Sequence, residues 1–355
     1  MTKVTISDVA HEAGVALGTV SNALNHPEKV RPETLQIINT AIAKLGYAPN
    51  QSARMLAGGH NKTFGLILPN FEHGISLQIA NGANAEARKH GYDLLIANAG
   101  NNDDQGNRYL RYFMGTQMAG VMAQIIGTPN WRPSNASAIP TVYLDAQSDR
   151  PGYFVAADNV EQGKLVAEHA IESGAHHVVV LGARGLSKLE RRITGIKQVI
   201  ESYPDIRFEL IEEGAWNIAR DGYHLGRKLV SRPDAKRPDF IIALTDVLAT
   251  GAIAGVQVSG LSVPLDIKVA GCDGNPLSWN GPIPLTTIAP PGYEIGRKGV
   301  QYLVRQIQQK RRAIHELPTD NHQELIKPFL LTRASTGACA VDDFANPEID
   351  ISGYL

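Results

Sequence analysis

The stretch "TISDVAHEAGVALGTVSNALN", Thr5 to Asn25, reads as two short helical runs interrupted by one glycine. Thr5 and Asp8 have the spacing of a capping box, in which each side chain accepts a hydrogen bond from the other residue's backbone N–H. Gly14 favours a turn of positive φ, where a Cβ is unfavourable. Ala10 is small enough for two helices to cross closely, and Val20 fills the angle between them. The pattern predicts a helix-turn-helix.

The second of these runs leaves Leu17, Gly18, Thr19 and Asn22 on its outer side, where a recognition helix meets the edges of base pairs. A small helical cap or dimerisation module is the alternative for these residues alone. The next run, "RPETLQIINTAIAKLGY", predicts a third helix. After it, "APNQSARMLAGG" predicts a short helix from residue 51 to 57 that a diglycine ends.

Beyond residue 60 the pattern changes, because short β-branched runs alternate with amphipathic stretches. This alternation predicts parallel sheets covered by helices, and the number of strands favours two sheets. The segments "IPLTTIAPPGYEIG" and "LIKPFLLTRASTG" are interpreted as connections. The predicted strands are 64–69, 92–99, 119–126, 139–145, 177–182, 239–245 and 266–272, and the predicted helices are 76–90, 159–173, 217–230, 246–258 and 293–309.

Composition excludes several classes of protein. The chain has 355 residues, a net charge of −1 and two cysteines, and no apolar run reaches the ~20 residues of a membrane helix. The start lacks the apolar core of a signal peptide, so we expect a cytoplasmic protein without a membrane partner. The eleven scattered histidines predict no metal site. The motifs G-x-G-x-x-G, H-E-x-x-H and G-x-S-x-G are absent, so we expect neither a cofactor nor catalytic residues, and no enzyme.

The opening stretch together with "KLGYAPN" and "SARML" resembles the headpiece and hinge of the LacI/GalR (lactose-repressor) family of bacterial transcription factors. Further motifs are similar to family landmarks in the same order: "VAADNVEQG", "RRITG", "DIKVAGCDG", "PLTTI" and "LLTRASTG". The resemblance implies an all-α helix-turn-helix headpiece and an α/β core of two doubly wound parallel-sheet subdomains, like a periplasmic binding protein.

The implied domains are a DNA-binding domain over 1–49, a hinge helix and linker over 50–60, a core over 61–340 and a tail over 341–355. Within the core, the first subdomain covers about 61–157 and 290–321, and the second covers about 158–289 and 322–340.

The resemblance implies a homodimer that binds double-stranded, pseudo-palindromic operator DNA. One departure from the family is Ala16, where a serine usually caps the recognition helix. Leu56 is implied to wedge into the minor groove at the operator centre. The expected DNA-binding residues are Thr5, Leu17, Gly18, Thr19, Ser21, Asn22, Asn25, Tyr47, Asn50, Gln51, Ala53, Arg54 and Leu56.

A second site is expected in the core, because ligands of open α/β sheets bind beyond the carboxyl ends of the strands. Carboxylates and a guanidinium there can form hydrogen bonds to the hydroxyl groups of a ligand, and the ring of Trp216 can stack on the ligand. The alternatives are Asp246 as a helix cap, Arg192 as a surface ion-pair partner, Asp273 in a structural role and Trp216 as a core residue. The expected effector-binding residues are Phe71, Ile75, Asp145, Arg192, Trp216, Asp246 and Asp273.

The sequence therefore predicts a repressor whose operator affinity changes with a small polar effector, expected to be a carbohydrate. A co-repressor-dependent member with a nucleoside or purine-like ligand is one alternative. A solute-binding protein is another, although the headpiece argues against it.

Overall fold

The computed structural model describes residues 4–48, 61–71, 74–124, 139–182, 187–212, 218–275, 281, 283–289, 292–310 and 320–337, without the side chains of 187 and 310. The chain divides into two compact units, Met1–Asn61 and Lys62–Leu355. Each unit is described by itself below.

In its described residues the first unit contains three α-helices, α1 (Ile6–Glu12), α2 (Leu17–Asn25) and α3 (Pro32–Leu45). Each contributes one side chain without solvent exposure to a shared apolar core, namely Val9, Val20 and Ile38. The predicted capping box is present, since Asp8 Oδ2 accepts from the backbone N–H of Thr5 at 2.8 Å. Gly14 has a φ of +64°, and so turns the chain between α1 and α2 as its sequence context predicts.

The second unit contains two six-stranded sheets. The first has the strand order β11-β5-β4-β3-β1-β2, and every pairing in it is parallel. Its helices are α4 (Gly74–Lys89), α5 (Asp103–Gly115) and α10 (Gly292–Lys310). Its strands are β1 (Thr63–Leu68), β2 (Asp93–Asn98), β3 (Gly120–Gln124), β4 (Thr141–Leu144), β5 (Gly152–Ala157) and β11 (Asn321–Ile326).

The second sheet has the order β12-β10-β9-β8-β6-β7, parallel except for the antiparallel pair β10–β12. Its helices are α6 (Asn159–Glu172), α7 (Ser187–Ile200), α8 (Ala219–Val230) and α9 (Asp246–Val258). Its strands are β6 (His177–Leu181), β7 (Arg207–Ile211), β8 (Phe240–Ala243), β9 (Lys268–Gly271), β10 (Thr286–Ala289) and β12 (Phe329–Leu331). Within the described residues, no helix is both long and apolar enough to cross a membrane.

These two sheets confirm the predicted fold class, an α-helical headpiece followed by two doubly wound subdomains. The chain passes between the sheets three times, after β5, after β10 and after β11. The third crossing differs from the expected boundary at about 321, because β11 is an edge strand of the first sheet and extends to Ile326. The two segments interpreted as connections also contain strands, β10 in one and β12 in the other.

In each sheet the strand order reverses at one place, between β1 and β3 in the first and between β6 and β8 in the second. A crevice opens at the carboxyl ends of the strands at such a reversal, and ligands of open α/β sheets bind there. The fold therefore directs attention to the residues that follow these strands.

Candidate nucleic-acid interface and ligand cleft

The outer side of α2 is exposed to solvent. Leu17 is 49% exposed although it is large and apolar, and Gly18, Asn22 and Asn25 are also exposed. Val20 and Ala23 face the headpiece core instead. Helix α2 therefore has one side that packs against the headpiece core and an opposite side that is accessible to a partner.

Among the described residues, no close contact requires a glycine at position 18. A Cβ built at this position meets no atom within 4 Å, and its φ lies outside the left-handed region. Glycine inside a helix costs about 0.5–1 kcal/mol relative to alanine. Close approach of a binding partner to the α2 backbone would explain why a glycine is present despite this loss of helix stability. Ala16 adds to the weakness of α2, because the N-cap makes no side-chain hydrogen bond.

Four of the predicted DNA-binding residues make contacts within the headpiece: Thr5 through the capping box with Asp8, and Ser21, Asn25 and Tyr47 through side-chain contacts. Ser21 accepts a 3.4 Å hydrogen bond from the side chain of Asn25, and Tyr47 packs partly buried against the headpiece core. Thr5 is exposed at the start of α1, and Thr19 is half-buried on α2. Asn50, Gln51, Ala53, Arg54 and Leu56 lie outside the described residues.

In the core, Asp145 lies directly after β4, at the carboxyl edge of the first sheet. It has a φ of +54°, which is uncommon for a residue with a side chain. Its Oδ2 accepts from Nε2 of Gln124 at 3.3 Å and from Nζ of Lys188 at 2.7 Å. Lys188 is on α7, so this ion pair joins the two subdomains across the cleft.

Arg192 follows Lys188 by one helical turn, and both side chains therefore lie on one side of α7. Its Nε donates to Oε1 of Gln162 at 2.7 Å and to Oδ1 of Asn159 at 3.1 Å. Its Nη1 donates to the Leu244 carbonyl and to Oδ1 of Asp273. Arg192 is 1% exposed, which excludes the alternative that it is a surface ion-pair partner.

The glycines of α6 and α7 make the Arg192 network possible. A Cβ at Gly163 would lie 2.0 Å from the carbonyl oxygen of Arg192, and one at Gly195 would lie 2.0 Å from that of Val160. The two helices therefore touch backbone to backbone, and this close approach brings Gln162 within hydrogen-bonding distance of the guanidinium.

Asp246 uses its oxygens to hold the loop after β9. Oδ1 accepts from the Thr287 hydroxyl at 2.6 Å and from the Asp273 backbone at 3.1 Å, and Oδ2 accepts from the Asn275 backbone at 2.7 Å. Burial raises the pKa of Asp246 to about 7, the charge of Asp273 adds to this rise, and the hydrogen bonds oppose it. The helix-cap alternative is wrong, since Thr245 caps α9.

Hydrogen bonds thus link Arg192, Asp273 and Asp246 in one buried network. Asp145 is connected to the helix that carries Arg192, α7, through its ion pair with Lys188. Ile75 lies instead in the apolar core of the first subdomain. Phe71 lines a surface groove along β2 and α5 with Leu95 and Tyr112. Trp216 lies outside the described residues.

Four cleft residues were missed by sequence reasoning: Ser76, Gln78, Gln124 and Lys188. Gln124 could have been found, because it is the one polar residue of the apolar run 119–126 and ends β3. Ser76 donates to Oε1 of Gln124 at 2.8 Å, and Nε2 of Gln78 donates across the cleft to the Gly274 carbonyl at 2.6 Å. Among the described residues, no cluster of His, Cys, Asp and Glu could hold a metal ion.

Two family models match the chain. Residues 5–50 match the bacterial regulatory proteins of the lacI family, and residues 167–336 match a periplasmic binding protein-like domain. The Ribose operon repressor of Bacillus subtilis (strain 168) is 30% identical over 301 residues, covering 84% of this chain and 90% of that protein.

Two solved structures share the fold. The lac repressor dimer bound to operator and the anti-inducer ONPF has a TM-score of 0.75 and 22% identity, covering 95% of this chain and 100% of that one. A LacI family transcriptional regulator from Enterococcus faecalis V583 with bound ribose has a TM-score of 0.64 and 22% identity, covering 77% and 98%. The chain belongs to the lacI family of bacterial regulatory proteins and is a DNA-binding transcriptional regulator.

Proposed function

We propose that this chain is a dimeric repressor that binds a pseudo-palindromic operator through α2 and responds to a sugar bound in the core cleft. The observation that carries the DNA-binding part is the exposed side of α2, where Gly18 leaves the backbone open to a partner. Because a bacterial operator is in the cytoplasm, the regulator acts there. Its function is binding, and we propose no catalytic step.

The proposed DNA contacts are of two kinds: contacts to base edges, which read the sequence, and contacts to phosphates, which position the protein. Leu17 reaches a thymine methyl and Asn22 reaches an adenine edge, while Gly18 lets the backbone approach. Thr5, Ser21, Asn25 and Tyr47 hold phosphates. The hinge residues 50–56 are proposed to follow the minor groove, with Leu56 as the wedge that bends the duplex.

The proposed effector is a small polyhydroxylated molecule. Asp145, Arg192 and Asp273 are charged groups at the carboxyl edges of the two sheets, and such groups make directional bonds to hydroxyls. The related Bacillus subtilis protein is a ribose operon repressor, and the Enterococcus faecalis regulator of the same fold was solved with bound ribose. Both support a sugar.

The proposed dimer uses apolar residues that the single chain leaves exposed. Leu95 and Tyr112 are 45% and 59% exposed along a groove of about 650 Å³ beside the edge strand β2. In the second subdomain Leu265 is 88% exposed. Exposed apolar patches mark interaction sites, and the lac repressor of this fold was solved as a dimer on its operator.

A direct test compares Gly18→Leu with wild type on the promoter region of the chain's own gene, by fluorescence anisotropy at fixed salt. A Cβ at this position meets no described atom within 4 Å, so the headpiece should fold, while a loss of about 1–3 kcal/mol should weaken operator binding by roughly 5- to 150-fold. Ala43→Leu, which also places a leucine at an exposed helix position, on α3, is the control. Equal affinity of wild type and Gly18→Leu would remove α2 from the DNA interface.

A further inference from the structure

The ion pair between Lys188 and Asp145 joins the two subdomains at the proposed effector site. The Lys188 ammonium lies 2.7 Å from the Asp145 carboxylate, with side chains 24% and 1% exposed. These residues are 43 apart in sequence and belong to different subdomains. A surface pair at such a distance contributes little, but this carboxylate is withdrawn from water and depends on its partner.

The ion pair is continued by a chain of hydrogen bonds into the first subdomain. Asp145 also accepts from Gln124, and Gln124 in turn accepts from the hydroxyl of Ser76 in the first turn of α4. Two residues later on α4, Gln78 donates to the carbonyl of Gly274 in the other subdomain. The cleft is therefore closed at two points, and Lys188 makes the charged one.

The second cation of the cleft, Arg192, already donates hydrogen bonds to acceptors of the protein. Arg192 donates through Nε and Nη1 to four acceptors, one of which is the carboxylate of Asp273. The described cations of the cleft are thus each balanced by a carboxylate of the cleft, Lys188 by Asp145 and Arg192 by Asp273.

This balance decides which charge an effector can carry. An anion that recruited Lys188 would leave Asp145 buried without a counter-ion, and breaking a pair with a buried carboxylate from one side is strongly destabilising. A hydroxyl group has both a donor and an acceptor, so it can insert between the ammonium and the carboxylate and satisfy both.

We infer that Lys188 determines the specificity of the effector site: it is the built-in counter-ion of Asp145, and the site takes uncharged polyhydroxy compounds and rejects their phosphorylated or carboxylated forms. This inference rests on the proposed function and deepens it, because it gives the chemical class of the effector.

The test uses thermal unfolding of the full chain with small ions as probes, and needs neither DNA nor a known sugar. Inorganic phosphate, compared with chloride at equal ionic strength, should leave the Tm of wild type unchanged. It should raise the Tm of Asp145→Asn, where Lys188 is released, by about 2–4 °C for each kcal/mol of binding. The double variant Asp145→Asn/Lys188→Met should lose this response.

Lys188→Ala provides the converse measurement, and it serves if Asp145→Asn does not fold. It should have a lower Tm than wild type, and methylammonium should restore part of the loss where tetramethylammonium at the same concentration does not. Lys197→Ala, an exposed lysine of the same helix, should show neither the loss nor the rescue.

A phosphate response of wild type that disappears in Lys188→Met would overturn the inference, because Lys188 would then be free to hold an anion. Absence of both the phosphate response in Asp145→Asn and the methylammonium rescue in Lys188→Ala would overturn it as well. Failure of the proposed function appears separately, as a chain that passes these tests and does not bind its operator.

Discussion

Replacing Arg192 by methionine should destabilise the second subdomain strongly. Methionine keeps most of the apolar stem but removes every donor. The carboxylate of Asp273, the amide oxygens of Asn159 and Gln162 and the carbonyl of Leu244 all lose a partner inside the protein. Arg192 is 1% exposed, so water does not replace the guanidinium.

The magnitude follows from the buried ion pair, because removing one partner leaves an uncompensated charge and costs about 3–5 kcal/mol. At about 2–4 °C per kcal/mol, the Tm should fall by roughly 6–20 °C. Adding Asp273→Asn removes the orphaned charge, so the double variant should lose less than the sum of the single losses, with a coupling of about 0.5–3 kcal/mol.

Urea unfolding of wild type, the two single variants and the double variant measures this coupling as a double-mutant cycle. Arg191→Met, at the exposed neighbouring position, is the control. Below the unfolding transition, Arg192→Met should still bind operator, since the headpiece is a separate compact unit, but should not respond to effector. A variant as stable as Arg191→Met, or strictly additive losses, would refute the assignment of Arg192 to the centre of this network.

Three further outcomes are expected. Ala16→Ser should add about 0.5–2 kcal/mol to α2 by supplying the missing cap, visible as slower hydrogen exchange of its first turn; no change relative to Ala43→Ser would contradict this. Leu56→Ala should weaken operator binding and bending more than Leu17→Ala at one fixed salt concentration, because a minor-groove wedge bends the duplex whereas Leu17 makes at best one methyl contact per half-site; normal bending would leave the hinge as a linker only. Since the pKa of Asp246 is raised to about 7 from about 3.9 in the unfolded chain, the folded state binds more protons between these values. The free energy of unfolding from this group therefore falls as pH rises from about 4 to 7; urea unfolding at pH 5 and 8 should show a smaller pH effect in Asp246→Asn.

The sequence predicted β1 to β4 of the first sheet and β6, β8 and β9 of the second, together with charged residues that follow several of these strands. Asp145, Asp246 and Asp273 were found because an apolar run that ends in a carboxylate marks the carboxyl end of a buried strand. The edge strands β7, "RFELI", and β11, "NHQELI", were missed for the opposite reason, since they carry charges and have one unpaired side. The internal strands β5 and β10 and the edge strand β12 were missed as well.

The roles of the site residues were harder to predict than their positions. The pairing of Lys188 with Asp145 depends on how two subdomains close on each other, and neither residue's neighbours in sequence contain that information. Asp246 looked like a ligand or a helix cap, yet its oxygens hold the backbone of the loop after β9. Such a role depends on the conformation of a loop 27 residues away.

The most direct test of the account measures the coupling between cleft and operator. A thermal-shift screen of carbohydrates selects the sugar that most raises the Tm, and calorimetry then gives its affinity with and without operator DNA. For a repressor released by its effector, the operator should weaken sugar binding by the same factor by which the sugar weakens operator binding. Equal sugar affinities in the presence and absence of operator would contradict the account, and tighter sugar binding on the operator would make the sugar a co-repressor.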